Sequence, residues 1–349
     1  MKAALVPDRA VALAQSHGFN ATTFQTLRGG FERRFLAEAC VAYVDTGRAW
    51  VAAGAPISPE ASLAAAAEDF ASAARAAGRR ACFFGTEERF VSAAARGFES
   101  VQVGEQPVWR PAAWSAGLAA HKSLREQLRR ARAKGVTVRR LAPGEADQEP
   151  VRSRLQSVRA RWLSARPLAP MGFLVGGGSD PLPARRVITA ARAGEIVAFV
   201  ELIPVPARSG WMVESLVRGD TAPNGTSELL VDAAMRWATE MRSDWLTLGL
   251  APLAGAVPTW MRVVGGAGAS LYDFDGLRRF KAKLGPAAWD PIYVSWPRGS
   301  SSIVPVVDVL RAFAGGSLIA FAAWSLARRW LRAATALARK AHGSASLSW

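Results

Sequence analysis

Cysteine occurs twice (Cys40, Cys82) and histidine three times (His17, His121, His342) in these 349 residues. Two thiols without a CxxC spacing exclude a disulfide framework; they read as core residues of a protein in a reducing compartment. The histidines lie far apart, with neither an HExxH helix nor a Cys/His cluster around them, so no metal is expected. The usual phosphate-cradling glycine motifs are missing too. At the N-terminus, Pro7 and Asp8 interrupt MKAALVPDRAVALAQ before an apolar run of signal length can form, so export is not indicated.

What the chain does have is positive charge. Lys and Arg number 44 against 28 Asp and Glu, a net of +16, and surfaces of that sign attract nucleic acid or an anionic membrane face. The excess clusters in HKSLREQLRRARAKG (121–135). Leu124, Leu128 and Ala131 repeat there at helical spacing, while Lys122, Arg125, Arg129, Arg130, Arg132 and Lys134 cover the remaining faces against one acid, Glu126. This helix is a candidate phosphate-tracking surface, extended by Arg139 and Arg140. It carries no aromatic side chain, so base-stacking recognition is not expected from it.

Sixteen charge-free residues, AFAGGSLIAFAAWSLA (312–327), precede RRWLRAATALARK. As a helix they would reach about 24 Å, short of a ~30 Å hydrocarbon core. The expectation is a C-terminal apolar or amphipathic helix lying at a membrane interface, its Arg and Trp residues at headgroup level, or packed on the protein's own core.

With 50% apolar residues and this length, two domains of ordinary size fit best. Two passages share one order of elements. In the first, strand 48–57, a helix opened by Ser58, strand ACFFGT, helix EERFVSAAARGF and strand ESVQVGEQPVW alternate. After a join near 106–120, the second passage gives strand VTVRRLAP, a helix over 145–163 and a hairpin turning at Ala193-Gly194. Strand GWMVESLV, the helix begun by DTAPNGTSE and strand DWLTLGLAPL complete it. Strands alternating with helices imply an α/β (α+β) fold. The second order is that of a GNAT-type acyltransferase, and tandem copies account for the length. The boundaries expected are 1–115 for the first GNAT-like domain, 116–300 for the catalytic one and 301–349 for a membrane-associating tail.

A coenzyme A-dependent GNAT domain presents a Gln/Arg-x-x-Gly-x-Gly/Ala turn where the central strand meets its helix, because backbone N–H groups there reach the diphosphate. RGDTAPNGTSE stands at that junction instead. The donor expected is therefore one without that diphosphate.

GTSELLVDAAMRWA after TAPNG, LTLGLAPLAG (246–255), LYDFDGLRRFKAKLGPAAWDPIYVSWP (271–297) and the basic SLREQLRRARAKGVTV resemble the soluble catalytic domain of phosphatidylglycerol lysyltransferases, also called aminoacyl-phosphatidylglycerol synthases. The resemblance implies tandem GNAT domains that move a lysyl or alanyl group from aminoacyl-tRNA to a hydroxyl of phosphatidylglycerol. Such work needs no cofactor beyond the charged tRNA, since an aminoacyl ester is already activated. The partners implied are aminoacyl-tRNA and an anionic phospholipid membrane at the cytoplasmic face of the inner membrane. Relatives carry transmembrane helices that this chain lacks, so a separate flippase is a further candidate partner. Other lipid, peptide or cell-wall acceptors stay open, as does a non-enzymatic basic membrane- or RNA-binding protein.

Within this frame Glu214, on the central strand, is the candidate for orienting the donor's α-ammonium or acting as general base, and Arg218 for holding a phosphate or the developing oxyanion. Asn224, Gly225, Thr226 and Glu228 form the turn and first helical turn beyond, with capping as the structural alternative. Gly249 would allow close backbone approach. Tyr272, Asp273, Arg278, Lys281 and Lys283 belong to the last matching block, where Leu277, Phe280 and Leu284 are expected inward and Arg278 and Lys281 flanking them, free to grip phosphate. Lys122, Arg125, Arg129, Arg130 and Arg132 are the candidate tRNA contacts.

Overall fold

The computed structural model describes residues 8–165, 173–174, 182–268 and 273–316. After α1 (Asp8–His17), the first half runs β1 (Glu32–Phe35), β2 (Cys40–Asp45), β3 (Ala49–Ala53), α2 (Leu63–Ala76), β4 (Arg80–Thr86), α3 (Glu88–Ala93) and β5 (Phe98–Trp109). Two helices, α4 (Trp114–Ala120) and α5 (Lys122–Ala133), lead to β6 (Val136–Arg140), α6 (Val151–Ser164), β7 (Arg186–Arg192), β8 (Glu195–Val205) and β9 (Gly210–Arg218). Then come α7 (Thr226–Glu240), β10 (Trp245–Thr247), β11 (Ala251–Pro252), α8 (Thr259–Gly268), α9 (Phe274–Lys283), β12 (Ala288–Pro297) and α10 (Ile303–Phe313).

The two halves repeat one order of elements, which in the first half begins with β1 and β2, ahead of the strand expected over 48–57. Strands β1–β2–β3 are antiparallel and are followed by α2 and then β4 parallel to β3; β7–β8–β9 are antiparallel and are followed by α7 and then β10 parallel to β9. All twelve strands join one mixed sheet in the order β1-β2-β3-β4-β12-β5-β10-β9-β8-β7-β6, with β11 also on β5. The two halves interlock. β12, from the end of the chain, lies between β4 and β5, and β5 in turn pairs with β10 of the second half.

Local chemistry explains the elements. In α2, Leu63, Ala66, Ala67, Phe70, Ala71 and Ala74 fall on one buried face, and the Phe70 ring meets Tyr43, Trp50 and Phe83. The hairpin β7–β8 turns at Ala193 and Gly194, both left-handed (φ 51° and 82°), the pairing that matches the natural twist of two strands. Ser58 does not cap α2 as expected: its hydroxyl donates to the Pro59 carbonyl, and a short 3-10 turn over Glu60–Ser62 leads into the helix. The join near 106–120 is also more ordered than its Pro and Ala content suggests, since β5 continues to Trp109 and α4 follows.

The strand expected over 244–253 is broken in two. Gly249 adopts φ 68°; the pairing to β9 ends at Thr247, while β5 pairs with Leu246 and Thr247 before the break and with Ala251 and Pro252 after it. The apolar helix expected over 312–327 extends beyond the described residues, which end at Gly316. Among the described residues no helix is long and apolar enough to cross a membrane.

Candidate active site

Strands β9 and β10 run side by side only from Gly210 to Met212, paired with Trp245 to Thr247. Beyond Met212 and Thr247 they separate. A bulge adds to the opening: Glu201 pairs with Ser215 and Leu202 with Val213, so Glu214 is the extra residue of β9. Glu214 and Gly249 thus stand two residues past the last pair, one on each arm of the splay.

Each arm meets a buried titratable side chain. The Glu214 side chain is 4% exposed, and Arg28 donates to it at 2.6 Å from the end of the 3-10 turn Thr23–Leu27. Burial alone would raise its pKa. The Arg28 guanidinium, the Ser215 hydroxyl and the more distant Arg159 outweigh it and hold the carboxyl below its ordinary value. On the opposite arm, Lys281 of α9 donates through Nζ to the carbonyls of Gly249 and Leu250, at 2.8 Å each. It is 4% exposed. Desolvation brings its pKa down to about 7. Neutral, the amine spends its two N–H groups on those carbonyls and keeps a free lone pair; protonated, it has one N–H to spare.

Behind β9, Glu201 of β8 is buried between Arg159 of α6 and Arg185, and Arg185 also reaches Asp147. Beside the splay, Glu228 in the first turn of α7 pairs with Lys283 at 2.8 Å, tying α7 to α9.

A family model described as phosphatidylglycerol lysyltransferase, C-terminal, matches residues 11–295. The chain belongs to that family. Phosphatidylglycerol lysyltransferase of Bacillus subtilis (strain 168) is 32% identical over 127 residues, which is 34% of this chain but only 15% of that longer protein. Among solved structures, L-PGS from Bacillus licheniformis superposes with a TM-score of 0.76 at 22% identity, covering 89% of this chain and 97% of that one. A C-terminal domain assigned to a lysylphosphatidylglycerol synthetase of Agrobacterium fabrum gives 0.74 at 24% identity, covering 89% and 98%. These likenesses carry the fold.

In this phosphatidylglycerol lysyltransferase-type domain the other expected site residues divide. Arg218 is exposed and donates to the Ala222 carbonyl and to Asn224 Oδ1, both at 2.9 Å, so Arg218 and Asn224 brace the turn before α7. Gly225 has φ 93°, and a Cβ there would lie 2.4 Å from the Gln127 carbonyl oxygen of α5. Thr226 is fully buried and its hydroxyl donates to the Pro223 carbonyl. The start of α7 is therefore packed beneath α5, which blocks the space beside Gly225. Asp273 caps α9 by accepting from Gly276 N at 2.7 Å, and Arg278 lies over the Trp289 ring. Tyr272 is outside the described residues.

On α5, Arg129 and Arg130 share Glu126, Arg132 reaches Asp232, and Arg125 donates to the carbonyls of Leu118 and Ala119. Lys122 is exposed, with no carboxylate paired to it among the described residues. The face is basic, with part of its charge already answered within the protein.

One participant, Arg28, escaped the sequence, and another, Lys281, was named there but misplaced. Arg28 lies 186 residues from its partner, and no local pattern marks it. Lys281 was expected to flank the stripe, yet it is the buried one. The signal was present: position 281 follows Leu277 by four and precedes Leu284 by three, at the centre of the apolar face. A cavity of about 640 Å³ lined by Phe19, Arg110, Arg208, Ser243, Asp244 and Trp245 opens at the other end of β9 and β10 and contains none of the expected site residues.

Proposed function

We propose that this domain transfers an aminoacyl group, lysyl or alanyl, from aminoacyl-tRNA to a hydroxyl of phosphatidylglycerol at the cytoplasmic face of the inner membrane. The acceptor oxygen bonds to the ester carbonyl carbon, the bond to the tRNA ribose oxygen breaks, and that oxygen leaves with a proton. Nothing else is consumed.

The observation that carries the reading is the splayed pair of arms, an ionised carboxylate on one and a near-neutral lysine on the other, in a chain of this family. Glu214, held ionised by Arg28, suits an aminoacyl α-ammonium better than it suits proton abstraction at neutral pH. Lys281, poised near pH 7, suits the proton transfer between the two oxygens, or, when charged, the anion that develops on the carbonyl. The blocked start of α7 supports a donor delivered on RNA, and the basic face of α5 supports its phosphates. Arg218, at the turn before α7, and Lys283, on α9 with Lys281, are the cations offered to a lipid phosphate.

Purified protein incubated with labelled aminoacyl-tRNA and phosphatidylglycerol vesicles tests this. Labelled lipid that disappears on prior ribonuclease treatment is expected, with Glu214→Gln and Lys281→Met reducing it at least about a hundredfold. Transfer to a peptide or another lipid in place of phosphatidylglycerol would change the acceptor; no transfer from any charged tRNA would end the proposal.

A further inference from the structure

Among the described residues, large exposed apolar side chains concentrate on α10: Ile303 is 53% exposed, Val304 37% and Leu310 44%. At 3.6 residues per turn, Ile303, Val306, Val307, Leu310 and Ala314 centre on the outer face, while Pro305, Asp308, Val309 and Ala312 turn inward and are buried. The helix is apolar both towards the protein and away from it. A solvated surface helix has a polar outer face, so this one is built to be covered.

The charges around it indicate by what. Asp308, the single acid of α10, is 1% exposed and is held by Arg80 through two bonds of 2.8 and 2.7 Å and by Arg311 at 3.2 Å. Two guanidinium groups, Arg80 and Arg311, against one buried carboxylate leave the rim of the apolar face positive. Two copies of this face, brought together about a two-fold axis, would set like charges against each other. An anionic bilayer complements both the apolar centre and the positive rim.

The helix is also coupled to the splay. Phe313 packs on Phe84 and Phe173, and Phe173 on Phe31, in the loop that follows Arg28. The same apolar cluster includes Leu250, whose carbonyl accepts from Lys281. We infer that the outer face of α10 is the footing by which the domain sits on an anionic phospholipid surface, with Arg80 and Arg311 at headgroup level. This rests on the reading of a phospholipid acceptor.

The test uses the full chain and vesicles of phosphatidylcholine with and without phosphatidylglycerol. Co-sedimentation with the phosphatidylglycerol vesicles, weakened by added salt, is expected. Ile303→Gln with Leu310→Gln should reduce the bound fraction about tenfold or more. Both side chains of the double variant are exposed, so its circular dichroism should match the parent. Unchanged vesicle binding by the double variant overturns the inference. So does a parent chain that light scattering finds dimeric and a double variant that it finds monomeric. Transfer to phosphatidylglycerol dispersed in detergent separates this from the catalytic reading: the double variant should keep it, whereas failure of the parent there counts against the catalytic proposal and leaves the vesicle result to decide the docking face.

Discussion

Replacing Lys281 by methionine should change how stability depends on pH, and by an amount that the burial sets. In the folded protein the amine titrates near pH 7, against about 10.5 when unfolded. The unfolded chain therefore binds the extra proton between those values, and stability rises with pH across the window. Below pH 7 the full cost of the buried charge is present; above 10.5 it is gone. With one proton at stake, each pH unit is worth at most about 1.4 kcal/mol, and between pH 7 and 9 the gain is about 2 kcal/mol. Methionine has similar volume and no charge, so Lys281→Met should lack this gain. It also leaves the Gly249 and Leu250 carbonyls without their donor, a pH-independent cost of about 1–3 kcal/mol each. Urea unfolding of both proteins at pH 7, 8 and 9 isolates the slope, because every other titrating group is shared. The stability difference should move by about 2 kcal/mol in favour of the parent as pH rises. Parallel curves would show that the amine keeps its ordinary affinity for protons, and the assignment of Lys281 as a near-neutral group would fall.

Glu214→Gln should lose transfer and also stability, by about 3 kcal/mol in urea unfolding, since it strands the buried Arg28 charge; Arg28→Met added to it should recover part of that stability without activity, and full recovery of activity would refute the role given to the carboxylate. Gly225→Ala forces both a left-handed backbone and a collision with the Gln127 carbonyl, so its melting temperature should fall by the equivalent of about 2 kcal/mol or more; an unchanged melting curve would mean that α5 does not lie across the start of α7. Lys122→Gln with Arg129→Gln should weaken tRNA binding and reduce the slope of log affinity against log salt by about 1–2, a change that filter binding over a salt series detects, while equal slopes would remove α5 from the RNA surface.

The parts legible in the sequence were those in which local preference and tertiary packing agree. Ala193-Gly194 is a turn on its own chemistry, α2 carries its apolar face in its spacing, and the repeated order of strands and helices announced two related halves. What stayed hidden depends on distant partners. Nothing local in residues 288–297 says that β12 enters the sheet of the first half. The break at Gly249 is invisible in LTLGLAPL because a continuous apolar strand satisfies the same pattern; β5 pairs on both sides of it, and only the pairing to β9 stops, after Thr247. Lys281 was misplaced because a lysine on an apolar stripe is normally solvated, and the two backbone carbonyls that receive it exist only because β10 ends early.

The position of β12 constrains how the chain can come together. Until residues 288–297 have emerged from the ribosome, β4 and β5 face each other across a missing strand, each with an open hydrogen-bonding edge. The early part of the nascent chain must therefore wait for the late part, a long-range closure that slows folding and leaves adhesive edges exposed meanwhile. Chaperone dependence during synthesis, and aggregation of fragments that stop short of Ala288, are what such an arrangement entails.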